Sequence, residues 1–165
     1  MELTRVRSLP VLPGHPPLAR LAAAGAAAVA GSLLVTWALA LAGLALFTVP
    51  AVFDKLRFAT YAPLTVIGVV GAVIAWALVS RYSPSPVRLL GRLAVLVTVL
   101  LLVPDVLLLP QADEPAGPVV MLMIMHIAIA VVSYLALVRL APVAVAAPVA
   151  VAAPVAEREL SLHAG

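Results

Sequence analysis

The chain has 165 residues, 65% of them hydrophobic and 10% charged, with a mean hydropathy of +1.21. A soluble domain is about 45–50% apolar and about 25% charged, and one this small cannot bury such an excess. The composition excludes an ordinary water-soluble domain and predicts one all-α domain solvated by a bilayer. The absence of cysteine excludes disulfides, thiolate metal centres, iron–sulfur clusters, c-type haem attachment and a cysteine nucleophile.

Residues 1–17 contain Pro10, Pro13, Pro16 and Pro17 with Gly14 among them, which predicts a flexible cytoplasmic lead-in. Proline removes amide donors and fixes φ, so a helix opens only at Leu18. His15 falls in this lead-in and reads as a solvated loop residue. The transmembrane domain is expected over 18–140, with spans at about 21–47, 61–80, 91–109 and 118–138. Roughly 20 apolar residues cross ~30 Å of hydrocarbon, so the longer first span must tilt or project. A secretory signal is the rival reading of that span, with Ala40-Leu41-Ala42 as a small-residue cleavage site. A signal core is only about 7–15 residues long, so the segment is read as a span.

Phe53, Asp54, Lys55, Arg57 and Phe58 fill the first connection. The spacing of Val52, Phe53, Leu56 and Phe58 suits either a short interfacial helix or a plain loop. Tyr61 and Tyr82 bracket the second span at its two interfaces. Pro104 and Asp105 interrupt the third, where a continuous helix to Leu109 loses one backbone hydrogen bond and kinks. Residues 141–165 are a low-complexity Ala/Val/Pro tail with Pro142, Pro148 and Pro154 at six-residue intervals. That spacing excludes a fifth span and predicts a flexible or polyproline-like cytoplasmic tail.

Cations set the orientation. Arg5, Arg7, Arg20, Arg81, Arg88, Arg92, Arg139 and Arg158 fall on one side, and only Lys55 and Arg57 on the other. Asp113 and Glu114 occupy the third connection without a base. Positive residues stay cytoplasmic, which predicts both termini inside and a multi-pass protein of the cytoplasmic (bacterial inner) membrane. An even number of spans likewise requires the two termini to share a side.

Lipid tails are as apolar as leucine, so helices associate through close contact at small residues. Ala24, Ala28, Gly31 and Ser32 form one small face in the first span, and Gly68 with Ala72 another in the second. These faces are expected to meet each other or the fourth span.

Ionisable groups within spans point by default to function. Asp105 lies about 6 Å and His126 about 12 Å along their helices from the same outer end, at 1.5 Å per residue. Their helices share one connection, so pairing is expected. A carboxylate fixes an imidazole tautomer, and such a pair can move protons, bind a small ligand or lock two helices in register. Ser133 falls on roughly the His126 face, and Thr98 of the third span is a further candidate for a polar stripe. Met121, Met123 and Met125 alternate around the fourth helix and cannot converge on one ion, so they read as packing residues. Haem ligation across helices would want a second histidine within a span. No nucleophile elbow, phosphate loop, dinucleotide fingerprint, metalloprotease motif or nucleic-acid pattern is present. No catalytic residue, metal ligand or cofactor is assigned.

Tyr61-Ala62-Pro63-Leu64-Thr65, Ala75-Trp76-Ala77-Leu78 ending in Arg81, Val103-Pro104-Asp105 and Met125-His126 occur in an order that resembles a family of small bacterial four-helix membrane proteins of unknown function. The resemblance covers about residues 18–141. It implies a four-span bundle and singles out Asp105 and His126, without implying a reaction or ligand. The expected role is a non-enzymatic module that packs with the bilayer, a second copy or another membrane protein. The alternative is a small-ligand, proton or redox carrier using the Asp105/His126 pair in an outward-facing cavity.

Overall fold

A computed structural model describes residues 16–50, 53–110 and 116–143. Four helices make up nearly all of it: α1 (Leu18–Leu46), α2 (Phe58–Tyr82), α3 (Pro86–Leu108) and α4 (Ala116–Leu140). A single 3-10 turn, Asp54–Leu56, precedes α2. All four helices are long and apolar enough to cross a membrane, the expected all-helical, multi-pass architecture. The proline-rich residues 1–15, Val52, the acidic pair Asp113 and Glu114, and the repeat tail from 144 lie outside the described residues.

Prolines punctuate the helices where the chemistry demands it. Pro17 is extended (ψ 145°), and α1 begins behind it with the Leu21 amide donating to the Pro17 carbonyl at 3.0 Å. Pro86 occupies the first turn of α3, where its missing donor costs nothing. That start lies several residues before the expected 91. Pro104 does not end α3, which continues to Leu108. At 1.5 Å per residue the 29 residues of α1 extend roughly 43 Å, more than the hydrocarbon requires.

The helices run up and down, as their contacts show. A Cβ on Gly31 would meet Val132 Cγ1 at 3.1 Å, and one on Gly43 would meet Met121 Cγ at 3.1 Å, so α1 and α4 pack antiparallel. Gly25 likewise approaches Val73 Cγ2 at 3.1 Å, which places α2 antiparallel to α1. Gly91 faces the Tyr134 ring at 3.6 Å, which places α3 antiparallel to α4. The start of α1 and the end of α4 therefore share one end of the bundle.

Two apolar clusters close the bundle at its ends. Ala24, Trp76, Leu90, Leu137 and Ala141 form the one at the chain ends. There the fully buried Trp76 donates from Nε1 to the Ala141 carbonyl at 3.0 Å, tying α2 to the exit of α4. At the opposite end Phe53, Leu56, Tyr61, Met121, Leu122 and Met125 pack together. Met121 and Met125 thus serve as packing residues. The first connection forms a 3-10 turn rather than an interfacial helix, because Phe53 and Leu56 turn inward to cap this cluster. Tyr61 is buried beneath that turn, whereas Tyr82 at the other end of α2 is exposed.

The distribution of side chains is inverted relative to a soluble bundle. Leu34, Leu64, Ile67, Val95, Leu100 and Leu107 are exposed, while Ser32, Thr36, Thr65, Ser80 and Ser133 are buried. Thr36 and Thr65 satisfy themselves by donating to the carbonyls of Ser32 and Tyr61 one turn back, at 2.8 and 2.9 Å.

The small-residue faces separate in the structure. Ala24, Ala28 and Ser32 are fully buried, and the α1 glycines are filled by α2, α4 and the 3-10 turn. Gly68 corrects the expectation for α2. It is exposed, nothing lies within 4 Å of a Cβ built on it, and Gly71 is equally open. Ala72 is partly buried against the cluster at the chain ends. The α2 side chains that meet neighbours are the larger Val69, Val73 and Trp76, which turn the glycine edge outward.

Candidate functional site

Helix α3 is the least embedded element. Of its apolar window only 11% is buried, against 22–28% for the others. Pro86 and Leu90 anchor its start, and Asp105 is the only other buried residue along it. A carboxylate thus does what leucines do elsewhere in the bundle: it faces inward.

Its partner is His126 of α4. Asp105 Oδ2 lies 3.0 Å from His126 Nδ1, so the structure brings the two residues together. The same Nδ1 is 3.0 Å from the Leu122 carbonyl one turn back on α4. One N–H cannot align on both acceptors. The Leu122 carbonyl meets the geometry of a hydrogen bond, and Asp105 Oδ2 does not. The carboxylate therefore lies in close contact with the ring without being its aligned acceptor. Asp105 is nearly enclosed, its side chain 9% accessible, whereas the imidazole is 29% accessible.

Lys55 lies at the same end of the bundle. It stands over the Phe53 ring with Nζ 4.7 Å from the centroid. The inward turn of Phe53 and Leu56 brings this lysine over the bundle end. Sequence reasoning placed Lys55 only in a connection, as one of the two outer cations. Its position over the Phe53 ring depends on the turn conformation, which no local motif announces. The Leu122 carbonyl was also missed, although a histidine four residues after a helical carbonyl is a recognisable cue.

The secondary candidates stand apart from the pair. Thr98 is half-buried, and its hydroxyl donates to Ala94 of its own helix at 2.7 Å. Ser133 is buried with its hydroxyl unpartnered, so no hydrogen bond joins it to His126 or Thr98. The expected polar stripe is not formed. Ser32 on α1 is also buried with an unpartnered hydroxyl. Among the described residues no group of three or more histidines or acids is placed to hold a metal ion.

The family described as a family of unknown function (DUF6069) matches residues 13–143, slightly more than the 18–141 that the motifs covered. No curated protein and no solved structure matches the chain.

Proposed function

We propose, taking as premise that this chain belongs to the family of unknown function DUF6069, that it is a non-enzymatic packing module of the bacterial cytoplasmic membrane. One observation carries this reading. The glycines of α1 are filled from within the chain, while Gly68 and Gly71 of α2 lie open on the outer surface. Small residues on a lipid-facing helix let a second backbone approach closely, and close packing is what drives association in lipid. The partner is a second copy or another membrane helix. In this reading Asp105 and His126 hold α3 against α4, because α3 has so little else buried along its length.

In this reading the start of α1 and the end of α4 both face the cytoplasm. Arg20, Arg81, Arg88, Arg92 and Arg139 belong to the end where α1 starts and α4 stops, and Lys55 and Arg57 to the other. That bias is the positive-inside pattern.

Crosslinking tests the packing reading, since the natural chain has no cysteine to interfere. A Gly71→Cys variant in native membranes should form a disulfide-linked dimer or an adduct with one other protein. Leu101→Cys, on the exposed face of α3, should do so far less. A monomer in both variants, with no adduct, refutes the proposal.

A second reading, carriage of a proton or small ligand by Asp105 and His126, is favoured by the partial accessibility of the imidazole. It predicts that His126→Ala stays inserted and folded yet loses proton flux or ligand binding in proteoliposomes. Unchanged flux and binding count against it.

A further inference from the structure

Between α1, the 3-10 turn and the start of α2 the protein leaves a groove of about 410 Å³, a volume typical of small-molecule sites. Trp37, Leu41 and Leu44 of α1 form one wall, each about half exposed. From Leu44 to Trp37 that wall runs seven residues, roughly 10 Å at 1.5 Å per residue, from the bundle end toward the membrane interior. Phe58 and Tyr61 of α2 face it, their rings edge to face with centroids 5.5 Å apart.

Two groups in this apolar groove are chemically unfinished. Arg57 lines its mouth, is exposed and forms no ion pair among the described residues. Tyr61 is 6% exposed, and its hydroxyl has no hydrogen-bond partner. An unpartnered buried hydroxyl is a standing cost that a ligand oxygen can remove. Lys55 stands over the Phe53 ring, which leaves Arg57 as the cation lining the groove. Arg57 also immediately precedes the first turn of α2, whose free amides and dipole favour an anion.

We infer that this groove holds an acyl chain of an anionic phospholipid, with the headgroup phosphate on Arg57 at the mouth. Guanidinium matches phosphate in charge and in its forked donors, and the chain lies along Leu44, Leu41 and Trp37. A zwitterionic lipid supplies the same tail with no net charge for Arg57. The site depends on the membrane-spanning architecture and is independent of whether α2 packs against another helix.

The protein carries its own reporter, because it has two tryptophans and only Trp37 lines the groove. Trp76→Phe leaves Trp37 as the sole emitter. This variant is reconstituted in phosphatidylcholine vesicles containing a minor fraction of brominated phosphatidylglycerol or, separately, brominated phosphatidylcholine. The expected result is quenching that reflects about a fivefold preference for the anionic lipid, the effect of one basic side chain at the surface. Arg57→Gln should abolish the preference, and Arg88→Gln at the opposite end should leave it intact. Equal quenching by both lipids, or a preference that survives Arg57→Gln, overturns the inference. Native mass spectrometry of the unaltered chain gives a test free of variants. One phosphatidylglycerol retained per chain from a mixed-lipid preparation supports the site, and retention of none overturns it.

Discussion

Deleting the two members of the interhelical pair should cost unequal amounts, for a reason visible in the path of one hydrogen. When Asp105 becomes Leu, His126 keeps its hydrogen bond to the Leu122 carbonyl, and only the 3.0 Å contact is lost. Polar contacts between membrane helices average ~0.6 kcal/mol and reach ~1.7, so Asp105→Leu should cost about 1 kcal/mol. His126→Leu instead strands a carboxylate that is only 9% accessible. Leaving a buried neutral group unpaired costs about 1–3 kcal/mol, and a charged one more. His126→Leu should therefore cost about 3 kcal/mol. Replacing both partners by apolar residues is close to neutral for a buried pair, and the double variant should cost about 1 kcal/mol. At ~1.4 kcal/mol per decade, His126→Leu shifts the folding equilibrium by about a hundredfold and the double variant by about fivefold. Reversible unfolding in mixed micelles with increasing dodecyl sulfate, followed by circular dichroism and Trp76 emission, measures all three. Equal losses in the two single variants, or a double variant costing their sum, refute this account of the pair.

Three further expectations rest on other parts of the bundle. Gly31→Leu drives a side chain into Val132, which already lies 3.1 Å from a Cβ at that position, and should lose about 1–3 kcal/mol in the same unfolding assay. Gly68→Leu meets open space and should stay within about 0.5 kcal/mol of the natural protein, while weakening the Gly71→Cys crosslink. Topology is read with an impermeant maleimide on otherwise cysteine-free protein: Asp54→Cys should label in spheroplasts, and Ser85→Cys only after permeabilisation. The opposite pattern would falsify the cytoplasmic placement of the start of α1 and the end of α4.

The class, the number of spans and the candidate pair were legible along the chain. An uncharged run of apolar residues tens of ångströms long has one stable solvent, and its ends are marked by arginines that cannot enter it. The up-and-down order then required His126 and Asp105 to lie at the same end of neighbouring helices. Which face of each helix turns inward was settled only by packing in three dimensions. Apolar periodicity is a weak guide in lipid, because outside and inside are both apolar and the partition depends on shape. That is why Gly31 is filled by Val132 while Gly68, in an equally good small-residue motif, lies open. It is also why Tyr61 packs inside the bundle and Lys55 stands over the Phe53 ring. Both follow from Phe53 and Leu56 turning inward, a choice made by packing against α4 and invisible along the chain.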